Sequence, residues 1–214
     1  MFTPDQIRES MRLYAITDDS WLHGRSITAC VADALLGGAT CVQLREKDGC
    51  TPAVRDVAGT MRELCRQARV PFIVNDYVEL ACEIDADGVH VGQGDMACES
   101  ARKLLGPDKI LGVSVGTCEE AIAAQLAGAD YLGAGAVFPT PTKPESAALG
   151  LAALKAICSS VSIPVVAIGG IGLATIPKLA GTGVSGVAVV SAIFAQDDII
   201  GATKELYERT KALW

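Results

Sequence analysis

Eight times along this chain a short run of β-branched and small apolar residues gives way to a polar loop and then to a helical pattern. That rhythm constrains the fold more than any other feature. The runs are Leu13–Ile16, Thr40–Leu44, Pro71–Val74, Gly88–Val91, Ile110–Val113, Tyr131–Ala134, Val165–Ile168 and Gly186–Val190. The helices between them have readable ends. Ser26 is placed to cap Ile27–Leu36, which stops at Gly37-Gly38. Thr51 and Pro52 open a helix running to about Gln67, with proline where its missing N–H costs nothing. Ala97–Leu105 ends at Gly106-Pro107, Thr117 and Glu120 have capping-box spacing ahead of a stop at Gly128, and a last helix spans roughly Asp198–Leu213. One phrase recurs, as Gly37-Gly-Ala-Thr-Cys-Val, Ala127-Gly-Ala-Asp-Tyr-Leu and Gly183-Val-Ser-Gly-Val-Ala, each a glycine stop followed at once by a strand.

Eight β-α units in 214 residues predict an α/β fold, a closed parallel (β/α)8 TIM barrel near the smallest length that fold uses. A doubly wound open sheet is the runner-up, but that fold usually carries a glycine-rich turn after its first strand, and here Ile16 is followed by Thr-Asp-Asp-Ser. No Pro/Ser linker or charge block divides the chain, so residues 1–214 are expected to form a single catalytic domain.

Composition narrows the partners. Half the residues are hydrophobic and 20% are charged, enough for a large core without disulfides. A net charge of −7 argues against nucleic acid or an anionic membrane as partner, so any anionic ligand needs local positive potential. The 8 cysteines include no C-x-x-C, and the 2 histidines, His23 and His90, leave zinc spacing absent. They read as reduced, small hydrophobes in a cytoplasmic protein. The amino terminus has no cationic-then-apolar signal. The uncharged stretch Ala156–Pro177 raises the question of a membrane span, but Pro164, Gly169, Gly170 and Gly172 make it helix end, strand and loop.

In a β/α barrel the ligand sits at the C-terminal mouth, so the strand ends carry the chemistry. Gln43, Arg45 and Lys47 alternate along the second run, and residues two apart on a strand share a face. An amide and two cations are thereby aimed at an interior, where an unpartnered cation is strongly unfavourable; the expected partner is an anionic ligand. The third run ends in Asn75-Asp76, by itself an ordinary turn. The fourth is followed by Asp95, however, and two carboxylates on neighbouring strand ends suit Mg²⁺ completed by phosphate oxygens and water. Asp85 and Asp87 read as the turn into the fourth strand. Ser114 points into the mouth after the fifth. The proline-rich loop Phe138–Ala147 supplies Thr140, Thr142 and Lys143, suited to phosphate, and is the candidate to close over ligands. Gly169, Gly170, Val190 and Ser191, after the seventh and eighth strands, offer backbone N–H groups to a phosphate. His90 reads as a satisfied interior histidine, and His23 has no assigned task.

Together these residues resemble one family, that of thiamine-phosphate synthase (thiamin phosphate pyrophosphorylase). The resemblance extends from Leu13-Tyr-Ala-Ile-Thr-Asp to Val190-Ser-Ala-Ile. It is carried by Gln43-x-Arg-Glu-Lys47, Val74-Asn-Asp76 with Gly92-Gln-x-Asp95, Thr140-Pro-Thr-Lys143 and Ile168-Gly-Gly-Ile171. It implies a transferase that joins 4-amino-2-methyl-5-hydroxymethylpyrimidine diphosphate to hydroxyethylthiazole phosphate, releasing diphosphate. By the same resemblance Gln43, Arg45, Lys47, Asn75, Ser114 and Lys143 hold the pyrimidine diphosphate, Asp76 and Asp95 bind Mg²⁺, and Thr140, Pro141, Thr142, Gly170, Val190 and Ser191 hold the thiazole phosphate. Arg45, Lys47, Ser114 and Lys143 are the expected catalytic set, and a homo-oligomer is left open. The alternatives are a thiazole tautomerase and a non-catalytic phosphate-ligand sensor on the same barrel. The tautomerase resemblance calls for a histidine just after the fifth strand, where this chain has Gly116.

Overall fold

The computed structural model describes residues 2–46, 49–140 and 148–213. Eight parallel strands close into a barrel in sequence order, with β8 returning to β1. They are β1 (Leu13–Ile16), β2 (Cys41–Leu44), β3 (Phe72–Asn75), β4 (Gly88–Val91), β5 (Ile110–Val115), β6 (Tyr131–Gly135), β7 (Val165–Ile168) and β8 (Gly186–Val189). The outer helices are α1 (Pro4–Ser10), α2 (Ile27–Leu36), α3 (Pro52–Ala68), α4 (Val78–Glu83), α5 (Cys98–Leu105), α6 (Cys118–Leu126), α7 (Gly150–Ser160), α8 (Ser191–Phe194) and α9 (Ile199–Thr210). A 3-10 turn, Ile176–Leu179, stands between β7 and β8 in place of a helix. No helix among the described residues is long and apolar enough to cross a membrane.

Strands β1, β4 and β7 match the expected runs, and the other five differ from theirs by a residue or two, for local reasons. Pro71 has no N–H, so β3 begins at Phe72. Thr40 stays outside β2 because its hydroxyl, not its carbonyl, takes the Leu13 N–H, at 2.8 Å. Asp130 does the same for Leu111 at 2.7 Å, and Asp87 for Phe72 at 2.9 Å. The recurring glycine-stop phrase thus ends, at Thr40 and Asp130, in a side chain that satisfies an N–H at the start of a neighbouring strand. Asp87 is structural, and Asp85 pairs with Lys109 at 2.6 Å, as their reading as a turn requires. Val190 (φ −115°, ψ −84°) turns the chain out of β8 instead of extending it.

Two caps differ from expectation. Ser26 makes no capping bond and holds Thr28 Oγ1 instead, at 2.8 Å. The Glu120 carboxylate accepts from Gly116 N–H at 2.7 Å, one residue short of a true capping box, while Thr117 caps Glu120 as expected. Helix α1 is an element the pattern reading missed. Thr3 and Gln6 form a capping box there, and Ile7 with Met11 closes the lower end of the barrel.

The strands are buried on both faces. Outward residues such as Val42, Val74, Val89, Leu111, Leu132 and Val187 pack under the helices. Inward residues, among them Tyr14, Ile73, Ile110, Tyr131 and Val166, fill the lower barrel with Ile7 and Met11. Gly112 makes room for this filling, since a Cβ there would sit 2.1 Å from Tyr131 Cζ. The cysteines are all free, and burial pushes the Cys65 thiol up to about 12, which suits small core hydrophobes.

Candidate active site

Above this filled storey Ser114, Gly133, Gly135 and Ala188 leave space among larger inward residues, and a cavity of about 510 Å³ opens at the C-terminal mouth. All eight strands or the loops after them contribute to its wall. Of the residues expected in the site, it brings together Gln43, Arg45, Asn75, Ser114, Thr140, Gly170, Val190 and Ser191. Lys47, Pro141, Thr142 and Lys143 lie outside the described residues, as does most of the loop expected to close.

Gln43 is 2% exposed and faces inward from β2. Strand β2 ends at Leu44, so Arg45 is not on the strand as expected but just past it, tethered by its N–H to Thr17 Oγ1 at 3.1 Å. Nor does its guanidinium wait for a ligand to be paired: Nη1 lies 2.9 Å from Oδ2 of Asp18, which is 2% exposed. Asp18 also takes Ser20 N–H through Oδ1 at 3.0 Å. This carboxylate, missed by the sequence reading, fixes Arg45 in place while leaving about a quarter of its side chain accessible at the cavity (23%).

Asp76 and Asp95 do not line the cavity. Asp76 follows β3 in a left-handed conformation (φ 63°) that its N–H bond to the His90 carbonyl, 2.8 Å, holds at the mouth. Asp95 follows β4, is exposed, and accepts Gly92 N–H through Oδ2 at 2.7 Å. No group of three or more His, Cys, Asp or Glu side chains that could hold a metal exists among the described residues. Two carboxylates on adjacent strand ends are nonetheless the donor set that suits a hard divalent cation sharing its shell with phosphate oxygens and water.

The opposite rim is built from backbone. Gly169 and Gly170 have φ of 92° and 65°. A Cβ on Gly169 would meet Ala136 Cβ at 2.4 Å, and one on Gly170 would meet Phe138 Cβ and the Pro139 carbonyl, each at 2.7 Å. Glycine is required twice over, by conformation and by space. The N–H groups of Gly170 and Ser191 have no acceptor among the described residues. With short α8 beginning at Ser191, this is the arrangement that binds phosphate after strands seven and eight of such barrels.

The family model described as thiamine monophosphate synthase matches residues 13–193, a span that contains every strand from β1 to β8 and the whole cavity wall. The chain belongs to the thiamine monophosphate synthase family. It is 50% identical over 196 residues to a thiamine-phosphate synthase of Clostridium novyi, covering 91% of this chain and 96% of that one. A thiamine-phosphate synthase of Chloroflexus aurantiacus is likewise 50% identical, over 91% of this chain and 90% of its own. Among solved structures, a thiamine phosphate pyrophosphorylase from Pyrococcus furiosus superimposes with a TM-score of 0.89 at 41% identity, covering 97% and 98% of the two chains.

This member of the family also has a cavity floor that the strand-end reading did not find. Tyr14 and Tyr131, both fully buried, meet edge-on with ring centroids 5.9 Å apart and hydroxyls 2.8 Å apart. His90 is the satisfied interior histidine expected of it, with Tyr131 Oη at Nδ1 and Ser114 Oγ at Nε2, each at 2.9 Å. The available signal was parity: Tyr14 is in phase with Ile16, and Tyr131 with Gly133 and Gly135, on the inward faces of their strands.

Proposed function

We propose that the chain is a thiamine-phosphate synthase. It couples 4-amino-2-methyl-5-hydroxymethylpyrimidine diphosphate with hydroxyethylthiazole phosphate to give thiamine phosphate and diphosphate. The observation that carries the reading is a single cavity with a fixed guanidinium and amides on one side and free backbone donors on the other. Two phosphorylated substrates need two such anion sites facing each other.

In the reaction the bond between the pyrimidine methylene carbon and the diphosphate oxygen breaks, and its electron pair leaves with the diphosphate. The thiazole nitrogen lone pair then forms the new C–N bond. No proton has to move, so no general base is required. The aminopyrimidine spreads the positive charge that develops, and the protein's task is to stabilise the departing negative charge. Arg45 does this from the rim, with Asp18 holding the guanidinium so that little reorganisation is needed. One charge pair at 4 Å is worth about 4 kcal/mol at an effective dielectric near 20. Gln43, Asn75 and Ser114 orient the pyrimidine, and Lys47 and Lys143 add charge to the same site. Gly170, Val190 and Ser191 hold the thiazole phosphate with Thr140, Pro141 and Thr142, and confining both rings in one pocket supplies proximity.

Asp76 and Asp95 would hold Mg²⁺, which when bound supplies Lewis-acid neutralisation of diphosphate charge. A single catalytic domain over residues 1–214, acting in the cytoplasm on small molecules and not on nucleic acid or membrane, completes the reading. The tautomerase alternative finds no support: the two relatives compared above are named as synthases, and Gly116 offers no imidazole. The sensor alternative has no observation in its favour. The test is direct. Purified protein, both precursors and Mg²⁺ should release diphosphate and form thiamine phosphate in equal amounts; release no faster than without protein would refute the assignment.

A further inference from the structure

The cavity floor contains a chain of side chains, one from each of five strands, whose middle members the coupling reaction does not use. Gln43 Nε2 lies 2.7 Å from Tyr14 Oη, and Tyr14 Oη lies 2.8 Å from Tyr131 Oη. Tyr131 Oη is 2.9 Å from His90 Nδ1, and His90 Nε2 is 2.9 Å from Ser114 Oγ. The contact between Ser114 and His90, taken alone, has the geometry of a nucleophile and its base. The rest of the chain decides otherwise.

An amide nitrogen only donates, so the first link runs from Gln43 to Tyr14. Both phenols are wholly buried, and burial holds their pKa well above the usual value, so each keeps its one hydrogen. Tyr14 has accepted from Gln43 and gives its hydrogen to Tyr131; the neighbouring Cys41 thiol is a much weaker acceptor. Tyr131 then gives its own to Nδ1. A neutral imidazole that accepts at Nδ1 carries its hydrogen on Nε2 and donates it to Ser114 Oγ. The serine oxygen accepts from the ring, which leaves its own hydrogen available to a ligand in the cavity that Ser114 lines.

We propose that this chain locks His90 as the neutral Nε2–H tautomer and thereby makes Ser114 a hydrogen-bond donor to the pyrimidine substrate, not a nucleophile. Tyr14, Tyr131 and His90 are positioning residues: they act through Ser114. The role of Ser114 rests on the proposed function, whereas the tautomer does not, and the two can fail separately.

The chain has 2 histidines, so the imidazole signals of ¹⁵N-histidine-labelled protein are readily assigned with a His23→Gln control. Long-range ¹H–¹⁵N correlation at neutral pH should give His90 a protonated Nε2 and a bare Nδ1. A protonated Nδ1, a doubly protonated ring or averaging between tautomers would overturn the proposal. Tyr131→Phe removes the donor to Nδ1 and should let the tautomers mix. It should raise KM for the pyrimidine diphosphate about tenfold, the scale of one hydrogen bond, with kcat changed far less. Tyr14→Phe, with a smaller rise, serves if Tyr131→Phe does not fold. His90→Gln, which keeps a side-chain N–H, should recover part of the affinity lost in His90→Leu. If the tautomer is as stated but His90→Leu binds substrate normally, the donor role of Ser114 is overturned. A serine-directed phosphonylating reagent should leave Ser114 unmodified; covalent labelling there would show a nucleophile and sink the inference.

Discussion

The two rims of the cavity, each proposed above to hold a phosphate, are built by opposite means. On the β2–β4 side the work falls to side chains: Arg45 steadied by a buried Asp18, Asn75, and the carboxylates Asp76 and Asp95 beyond the wall. On the β7–β8 side it falls to backbone N–H groups exposed by glycines that tolerate no Cβ. A rim of side chains is tuned by charge and can take a metal. A rim of backbone has no charge to lose and is sensitive to added volume. The difference matches the demands of the chemistry: one phosphate group departs and must be stabilised as it gains charge, while the other only has to be held.

The sharpest test of that division is metal removal. EDTA should lower turnover by about 10²-fold or more, several kcal/mol of barrier, with Mg²⁺ restoring it; undiminished diphosphate release would remove Asp76 and Asp95 from the mechanism. Gly170→Ala should raise KM for the thiazole phosphate by roughly tenfold or more while leaving KM for the pyrimidine diphosphate nearly unchanged, since it strains φ and crowds Phe138. Equal effects on both constants would erase the distinction between the rims. Arg45→Lys keeps the charge but loses the fork, and should cost about tenfold in kcat/KM, read in steady-state assays varying the pyrimidine diphosphate. Below both rims, Gly112→Ala should destabilise by about 1–3 kcal/mol through collision with Tyr131, lowering Tm without a preference for either substrate. Thr51→Ala, far from the mouth, should cost about 1 kcal/mol from the lost cap of α3, a fall of roughly 2–4 °C in Tm by calorimetry, with unchanged kinetics.

The barrel was legible because its signals are local. Leu13–Ile16, Gly88–Val91 and Val165–Ile168 fall on the strands residue for residue, since each run is bounded by its own turn chemistry. Strand ends were legible for the same reason, so Gln43, Arg45, Asn75, Ser114, Gly170 and Ser191 could be placed at the mouth from order alone. Pairing across the barrel could not be. Tyr14 and Tyr131 touch across 117 positions of sequence, and no spacing rule links them. Asp18 carries no spacing signal in Thr17-Asp-Asp-Ser, and only the neighbouring positions of β1 and β2 reveal it as the counter-ion of Arg45. Helix α1 is too short for a periodic stripe to declare itself.

The glycine pair after β7 does more than bare its amides. The Val137 and Phe138 N–H groups bond the carbonyls of Ile168 and Gly169, at 2.8 and 3.1 Å, with Ala136 packed where a Cβ on Gly169 would stand. The root of the sixth loop is thus riveted to that of the seventh by two backbone hydrogen bonds. A change in the length or stiffness of either stem would therefore be felt on both sides of the pocket proposed for the thiazole phosphate.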